Sequence, residues 1–362
     1  MLRVVLGLLV VLALLLLAAV LGLFSRGSTT EAGRPLPVTP TATPEPPPIS
    51  SLSPPAVAAE MSQRAFPGGD APNVLLAQES ASADALAASG LQGLLSAPLL
   101  LTASDVLSPE TTAELDRLGD PEVHILGGSV AISLEIEQQL VAAGHTVHRH
   151  AGATGPHTAV DIAGRHFASI ASAVLISLGT PGLGPAEAVV DSLPASSLAA
   201  ADQLPVLLTA PDHLNPITAE YLATSGIERV LIVGDGSVIS DQVLAQVQAL
   251  GIEAVRVAAA DRFSNAVAVA HSRGFANASD ASVVVLAQGE VGSAWPASFI
   301  GSINTGRFGG APMVLAEGAT LPQPTRDFLT PEEPARTFLL CAPGVSEATC
   351  AEGRALVGEG SR

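Results

Sequence analysis

Short apolar runs alternate with amphipathic stretches along the chain from about residue 56 onward. The runs of Val, Leu, Ile and Ala predict buried strands, and the stretches between them have helical spacing. Ser108–Pro109 and Ser133 mark predicted helix starts, because serine caps free N–H groups and proline fits the first turn. The first region predicts strands at Asn73–Gln78, Ala97–Thr102, Glu122–Gly127 and His145–His150, and helices at Asp84–Leu94, Pro109–Leu118 and Leu134–Ala143.

This pattern returns at a fixed distance. Ala97–Ser133 matches Leu204–Ser240 after a shift of 107 positions, and a fainter third copy is visible in Ala311–Leu321 and Arg336–Ser346. A fixed period of this kind indicates tandem modules. The strands predicted in the second and third copies are Ala173–Leu178, Leu204–Leu208, Arg229–Val233, Ala254–Val257, Ser282–Leu286, Ala311–Leu315 and Thr337–Cys341.

Strands that alternate with helices in this way indicate βα units on mostly parallel sheets. The predicted fold class is therefore α/β, with three tandem Rossmann-like modules. We name residues 56–152 module 1, residues 153–259 module 2 and residues 260–362 module 3. Module 3 is divergent because it has no clear fourth strand after Cys341, and terminal repeats often differ from internal ones.

The N-terminal region has a different character. An uninterrupted apolar run from Val4 to Phe24 is long enough to span the hydrocarbon layer of a membrane. We predict that residues 1–24 are a transmembrane signal anchor; a cleaved signal peptide is the competing interpretation, although its apolar core is usually shorter. Residues 25–55 are rich in Pro, Thr and Ser and predict a disordered stalk. The protein is thus expected at the cell membrane, single-pass, with its modules outside the cytoplasm.

Composition excludes several classes of function. The chain has a net charge of −18, and all 16 of its basic residues are arginine. Without lysine there is no Walker-type phosphate site and no Schiff-base chemistry, and the acidic balance disfavours nucleic-acid binding. Gly179–Gly184 only weakly resembles a dinucleotide loop, since Pro181 interrupts it. Because hydrolase motifs are also absent from the sequence, we predict a protein that is not an enzyme and uses no cofactor.

Four segments together resemble a known family. They are Ala83–Leu91, Ala97–Thr102, Ile125–Ser133 and Ala260–Ala270, which read ADALAASGL, APLLLT, ILGGSVAIS and ADRFSNAVAVA. The set resembles the bacterial cell-wall-binding repeat of the second type, found as three tandem modules in clostridial surface-layer-associated and actinobacterial envelope proteins. The resemblance extends from about Ala56 to the C-terminus. It implies Rossmann-like modules around a pseudo-threefold axis that bind an anionic wall polymer non-covalently.

The sequence also offers a candidate anion site. In Gly127–Ser129 a strand leads through glycines into a helix, which places free N–H groups and a helix dipole at one sheet edge. Arg149 and Arg256 stand at the same offset, where a guanidinium group pairs well with phosphate or carboxylate. The competing interpretation is that the glycines only permit a tight turn and the arginines only solvate an edge. The predicted ligand-binding residues are Asp84, Gly127, Gly128, Ser129, Arg149, Asp191, Gly234, Gly236, Ser237, Arg256, Asp261 and Arg262.

The histidines and cysteines suggest two further features. His148 and His150 share one face of a strand, so a metal pair is geometrically possible. Module 2 has no counterpart of them and no cysteine lies nearby, so we predict core or solvated histidines and no metal site. Cys341 and Cys350 are predicted to form a disulfide, because they are the only two cysteines of an extracytoplasmic chain.

These observations combine into one functional prediction. We expect a membrane-tethered extracytoplasmic protein that captures an anionic cell-wall polymer reversibly, with avidity from its repeated modules. An aromatic content of only 3% disfavours stacking on neutral sugar rings. The alternatives are a scaffold for an envelope protein complex that has lost ligand binding and, less favoured, a hydrolase of wall polymer.

Overall fold

The structure is a computed structural model that describes residues 53–80, 82–177, 179, 185–289, 310–331 and 336–358, without the side chains of 185–191. These residues all fall within one of the chain's two structural units, Pro47–Arg362. Within the described ranges, no helix combines the length and apolar character needed to cross a membrane. The predicted signal anchor, residues 1–24, and residues 25–52 of the predicted stalk lie outside the described residues.

Three parallel sheets form the framework, as expected for an α/β chain with apolar strands buried on both faces. The strands are β1 Asn73–Gln78, β2 Leu99–Thr102, β3 Glu122–Leu126, β4 Val147–His150, β5 Ser172–Ser177, β6 Val206–Thr209, β7 Arg229–Val233, β8 Glu253–Val257, β9 Val283–Gln288, β10 Met313–Ala316 and β11 Phe338–Cys341. They pair as β2-β1-β3-β4, β6-β5-β7-β8 and β10-β9-β11, and each of these ladders is parallel. The α/β class and the predicted strands are confirmed, with boundary shifts of a few residues at most.

Helices connect the strands and cover the sheets. They are α1 Pro54–Ala65, α2 Ser82–Ala87, α3 Ser89–Leu95, α4 Pro109–Leu118, α5 Leu134–Ala142, α6 Gly155–His166, α7 Pro185–Asp202, α8 Pro216–Thr224, α9 Asp241–Ala249, α10 Arg262–Ser272, α11 Gln323–Leu329 and α12 Glu347–Leu356. Ser133 caps α5 as predicted, because its Oγ accepts from the N–H of Ile136 at 3.3 Å. The side chain of Ser108 makes no cap bond to α4; its Oγ accepts from the N–H of Ala103 instead.

The predicted helix Asp84–Leu94 is in fact two helices, α2 and α3, that meet at Ala88. The break serves the contact between modules 1 and 2. A Cβ placed on Gly90 would lie 1.9 Å from the carbonyl oxygen of Leu204, and one on Gly93 would lie 1.8 Å from that of Ala200. Only glycine at these two positions therefore lets α3 come this close to the backbone of Ala200, near the end of α7, and of Leu204, just after it.

A buried threonine shows that module 3 keeps the 107-residue offset despite its divergence. Thr218 and Thr325 each donate a hydroxyl hydrogen bond of 2.6 Å to a strand carbonyl, that of Leu208 and of Leu315 respectively. Thr111 donates in the same way to Leu101 in module 1. Module 3 also contains a disulfide between Cys341, at the end of β11, and Cys350 of α12, whose Cα atoms are 6.0 Å apart.

Candidate functional site

A glycine turn ends the third strand of each of the first two sheets. Gly127 and Gly234 adopt φ angles of 96° and 120°, values that disfavour any residue with a Cβ. The N–H of Gly127 donates to the carbonyl of His150, and that of Gly234 donates to the carbonyl of Val257. Each turn is thereby fixed to the neighbouring edge strand before the chain enters the next helix.

The two repeated arginines hold these turns from inside the protein. Arg149 donates to the carbonyl of Gly127 at 2.9 Å and forms an ion pair of 2.8 Å with Glu137. Arg256 donates to the carbonyls of Gly234 and Ile239, both at 2.8 Å, and its Nη2 lies 2.9 Å from a carboxylate oxygen of Asp241. With side chains only 15% and 19% exposed, both guanidinium groups have internal partners. They position the turns.

The turn of module 1 leaves several N–H groups open. The N–H groups of Ala131 and Ile132 donate to the carbonyl of Gly128. Those of Gly128, Ser129 and Val130 have no acceptor within the part of the chain that the structure describes. Val130 is 92% exposed, so the turn reaches the surface before α5 begins at Leu134.

In module 2 the protein's own carboxylate occupies one of the equivalent donors, the N–H of Ser237, which corresponds to that of Val130. Asp235 replaces Gly128, and its Oδ1 accepts from the N–H of Ser237 at 2.8 Å, from its hydroxyl at 2.5 Å and from the N–H of Val238 at 3.3 Å. The Ser237 hydroxyl, followed by the two N–H groups, lowers the pKa of Asp235 despite partial burial. One copy of the turn therefore binds a carboxylate, whereas the other copy is open.

Asp84 forms the wall opposite the module 1 turn. A Cβ on Gly127 would lie 2.5 Å from Oδ2 of Asp84, so the missing side chain gives the carboxylate its place. Burial raises the pKa of Asp84, and a hydrogen bond with Thr158 of α6 partly opposes this effect. The first cleft thus lies between the turn of module 1 and helix α6 of module 2.

A second cleft lies 107 residues further on, between the turn of module 2 and α10 of module 3. It encloses about 300 Å³. Asn265, which replaces Thr158, is 5% exposed, and its Oδ1 accepts no hydrogen bond within the described structure. Asp261 caps α10 by accepting from the N–H groups of Phe263 and Ser264. The cavity is lined by Gly234, Asp235, Ser237, Val238, Ala259, Ala260, Asp261, Arg262, Phe263 and Asn265.

Comparison with known proteins assigns both turns and α6 to one family, whereas the α10 side of the second cleft lies outside the matched segments. The family model "Cell wall binding domain 2 (CWB2)" matches residues 56–137 and 149–244. The chain belongs to this family. Its matched segments end in or just after the two turns and include the start of α6.

Individual relatives agree with this assignment over part of their length. N-acetylmuramoyl-L-alanine amidase LytC of Bacillus subtilis (strain 168) is 30% identical over 164 residues, which are 45% of this chain and 31% of the amidase. The uncharacterized protein PH0614 of Pyrococcus horikoshii is 30% identical over 163 residues, 44% of this chain and 46% of the relative. This chain therefore spans less than half of the length of either protein.

Two solved structures share the fold. Cwp6 from Clostridium difficile gives a TM-score of 0.68 at 22% identity, and the aligned region covers 83% of this chain and 46% of the Cwp6 chain. Cwp8 from the same organism gives 0.68 at 23% identity, with 84% and 51% covered. At these identities the likeness establishes the fold alone, and it reaches beyond the two segments matched by the family model.

Within the cell wall binding domain 2 fold, Arg149 and Arg256 hold the turns, and the other predicted site residues fall into three groups. Gly234, Ser237, Asp261 and Arg262 line one cavity, although Arg262 also donates to the carbonyl of Gly289 at 2.8 Å. Asp84 lies against Gly127 in the first cleft, beside the open donors of Gly128 and Ser129. The side chain of Asp191 lies outside the described residues, and Gly236 is in the turn without lining the cavity.

Sequence reasoning missed Thr158 and Asn265. The 107-residue offset relates the two, and each follows a helix start at the same spacing. That shared spacing is the feature of the sequence by which the two residues could have been found.

Proposed function

We propose that this chain binds an anionic polymer of the cell wall non-covalently, through the clefts at its module junctions. The family supports wall binding, and one observation supports an anionic ligand. The module 2 turn already holds a carboxylate, that of Asp235, on the N–H groups of Ser237 and Val238. The same turn in module 1 presents Gly128 instead, and the N–H of Val130, which corresponds to that of Ser237, is open. A phosphate or carboxylate of the polymer would take the position that Asp235 occupies in module 2.

This arrangement explains how a chain with a net charge of −18 would bind an anionic ligand despite their mutual repulsion. Attraction by arginine is not required, because the donors are neutral backbone N–H groups of the turn that precedes α5. Arg149 contributes by holding the turn through the carbonyl of Gly127.

The second cleft suits a different part of the same polymer. In its turn the N–H groups of Ser237 and Val238 are occupied by Asp235. In contrast, the side-chain oxygen of Asn265 is buried and accepts no hydrogen bond in the described structure, and Asp261 lines the cavity. These groups accept hydrogen bonds from hydroxyls, as sugar or polyol units of a polymer provide. The two clefts together would bind alternating anionic and hydroxyl groups, with avidity from the linkage.

The N-terminal region completes the proposal. The apolar run Val4–Phe24 supports a membrane anchor. Residues 25–52 support a stalk that holds the modules in the wall; the predicted stalk of residues 25–55 is too long at its end, because α1 begins at Pro54. Protease protection of the N-terminus in intact cells, together with resistance of the protein to alkaline extraction, is the expected result.

A non-binding scaffold is the second candidate, and the internal partners of Arg149, Arg256 and Asp235 favour it. The amidase relative does not favour hydrolysis, because this chain spans only 31% of that protein.

Substitution of Gly128 by Asp separates binding from the scaffold. Nothing lies within 4 Å of a Cβ at Gly128, so the variant should fold and copy the Asp235 arrangement. Because its carboxylate would fill the module 1 turn, we expect about 10- to 100-fold weaker sedimentation with native walls. Gly68→Asp is the matched control, since Gly68 also has free space and adds the same charge away from both clefts. Equal binding of Gly128→Asp and wild type would contradict the turn mechanism.

A further inference from the structure

Three histidines from separate elements meet beneath the first cleft. His124 of β3 and His150 of β4 are buried, and His166 at the end of α6 is half-buried. One ligand atom from each lies within 4.8 Å of the others. Nδ1 of His124 is 3.0 Å from Nε2 of His150. The ring centroids of His150 and His166 are 5.0 Å apart.

This cluster differs from the pair expected from the strand pattern. His148 and His150 do share a face, but His148 is exposed and its Nε2 pairs with Glu122 at 3.1 Å. The neighbouring strand supplies His124 instead, because β3 and β4 pair in register with His124 beside His148.

The cluster contains polar atoms that the protein leaves without hydrogen bonds. Nδ1 of His150, Nε2 of His166 and Oδ2 of Asp161 are buried and have no hydrogen-bond partner within the described residues. Buried polar atoms of this kind destabilise a fold unless a ligand, ion or water binds them. Three such atoms in one place indicate that something binds there.

The fold itself does not need these histidines. The positions 107 residues after His124, His150 and His166 hold Leu231 and Val257 of module 2 and Arg273 of module 3. The same sheet and helix are therefore built there with apolar side chains at both strand positions.

The surrounding groups orient the imidazoles for a cation. Nε2 of His124 lies 3.1 Å from Oδ1 of Asn73, which fixes a proton on that nitrogen and leaves the lone pair of Nδ1 facing His150. Oδ2 of Asp161 is 3.9 Å from Nδ1 of His150. With a proton on that Nδ1, the lone pair of Nε2 of His150 would face Nδ1 of His124, 3.0 Å away. Such outer partners are typical of metal-bound histidine. Burial, and then the neighbouring histidines, lowers the pKa of His124 to about 4 and of His150 to about 3, so both rings are neutral at pH 7.

We propose that His124, His150 and His166 form a site for a divalent transition-metal ion, with zinc as the best-suited ion. Imidazole nitrogens bind zinc at about 2.0–2.1 Å, so side-chain movements of about 1 Å would bring the three ligand atoms to bonding distance. Asp161 is an outer partner or a fourth ligand. The ion ties the module 1 sheet to the first helix of module 2, next to the first cleft.

The test uses the full chain in detergent micelles after removal of metal with a chelator. Titration with zinc chloride in a calorimeter should give one ion per chain with a dissociation constant of about 1 μM or lower. X-ray absorption of the zinc-loaded wild type should show at least three imidazole ligands. Zinc should also raise the melting temperature.

Variants connect the binding to these residues. His166→Ala should weaken zinc binding more than 100-fold, and Asn73→Ala should weaken it about 10- to 100-fold. His213→Ala is the matched control, since His213 is exposed and remote from the cluster in sequence. Absence of saturable binding, fewer than three imidazoles around the ion, or unchanged affinity of His166→Ala would each overturn the site. If His166→Ala does not fold by circular dichroism, the absorption spectrum of the wild type decides.

Discussion

The contact between modules 1 and 2 depends on Gly93, which makes Gly93→Ala the sharpest test of the architecture. The new Cβ would lie 1.8 Å from the carbonyl oxygen of Ala200. Both partners are helical backbone, so α3 and α7 must separate by roughly 1.5 Å to reach an ordinary contact. Overpacking of this kind costs about 1–3 kcal/mol, and loss of the surrounding contacts places our expectation near the upper end.

Gly164→Ala is the matched control within a helix. The nearest atom to a Cβ at Gly164 is a ring carbon of Tyr221 at 3.9 Å, an ordinary contact. Alanine should therefore stabilise α6 by up to about 1 kcal/mol.

Thermal unfolding of the full chain, followed by circular dichroism, should show opposite shifts for the two variants. We expect the melting temperature of Gly93→Ala to fall by roughly 5–10 °C and that of Gly164→Ala to rise slightly. A Gly93→Ala protein as stable as the wild type would refute the close helix contact.

Three further predictions concern the turns, the first cleft and module 3. Asp84→Asn should be more stable than the wild type at pH 7, because the folded pKa of Asp84 is raised above its ordinary value of 3.8. The protonated carboxyl therefore stabilises the fold at low pH, and this contribution is lost as the pH rises. The difference should vanish below about pH 3.8 in melting curves, and a constant difference would contradict burial as its cause. Arg256→Met should lower the free energy of unfolding in urea by about 2 kcal/mol, because it removes bonds to Gly234, Ile239 and Asp241. Arg229→Met, which removes an exposed ion pair of 3.8 Å, should change the free energy of unfolding by less than about 0.5 kcal/mol. Equal losses for the two variants would refute the turn-holding role of Arg256. Cys341→Ser should lower stability by about 2–3 kcal/mol, since the disulfide closes a short loop, and reduction of the wild type should have the same effect; stability insensitive to both changes would argue against that disulfide.

Much of the fold follows from local patterns that the sequence displays openly. Apolar strands and amphipathic helices repeat at an offset of 107, so one module predicts the next. The break at Ala88 was not predictable in this way, because it depends on a contact between Gly93 and the backbone of α7 that only the assembled modules create.

The candidate site was predictable in part for the same reason. The glycine turns and the Asp261–Arg262 pair stand out in the sequence, and the structure places Gly234 with Asp261 and Arg262 in one cavity. The partners of Arg149 and Arg256 are carbonyl groups of the main chain, and the sequence carries no mark of which carbonyl a guanidinium group will reach.

The histidine cluster also shows what could not be predicted from the sequence. His148 and His150 attract notice by their spacing in the sequence, whereas His124 joins His150 only through the register of β3 against β4. Strand order and register are properties of the whole sheet, so the convergence became visible only in three dimensions.

The central claim is that the modules bind an anionic polymer, and one sedimentation experiment tests it most directly. The full chain in detergent micelles is mixed with native cell walls and with walls stripped chemically of their anionic polymers. We predict binding to the native walls and loss of binding on stripping. Equal binding to both preparations, or binding to neither, would contradict the account.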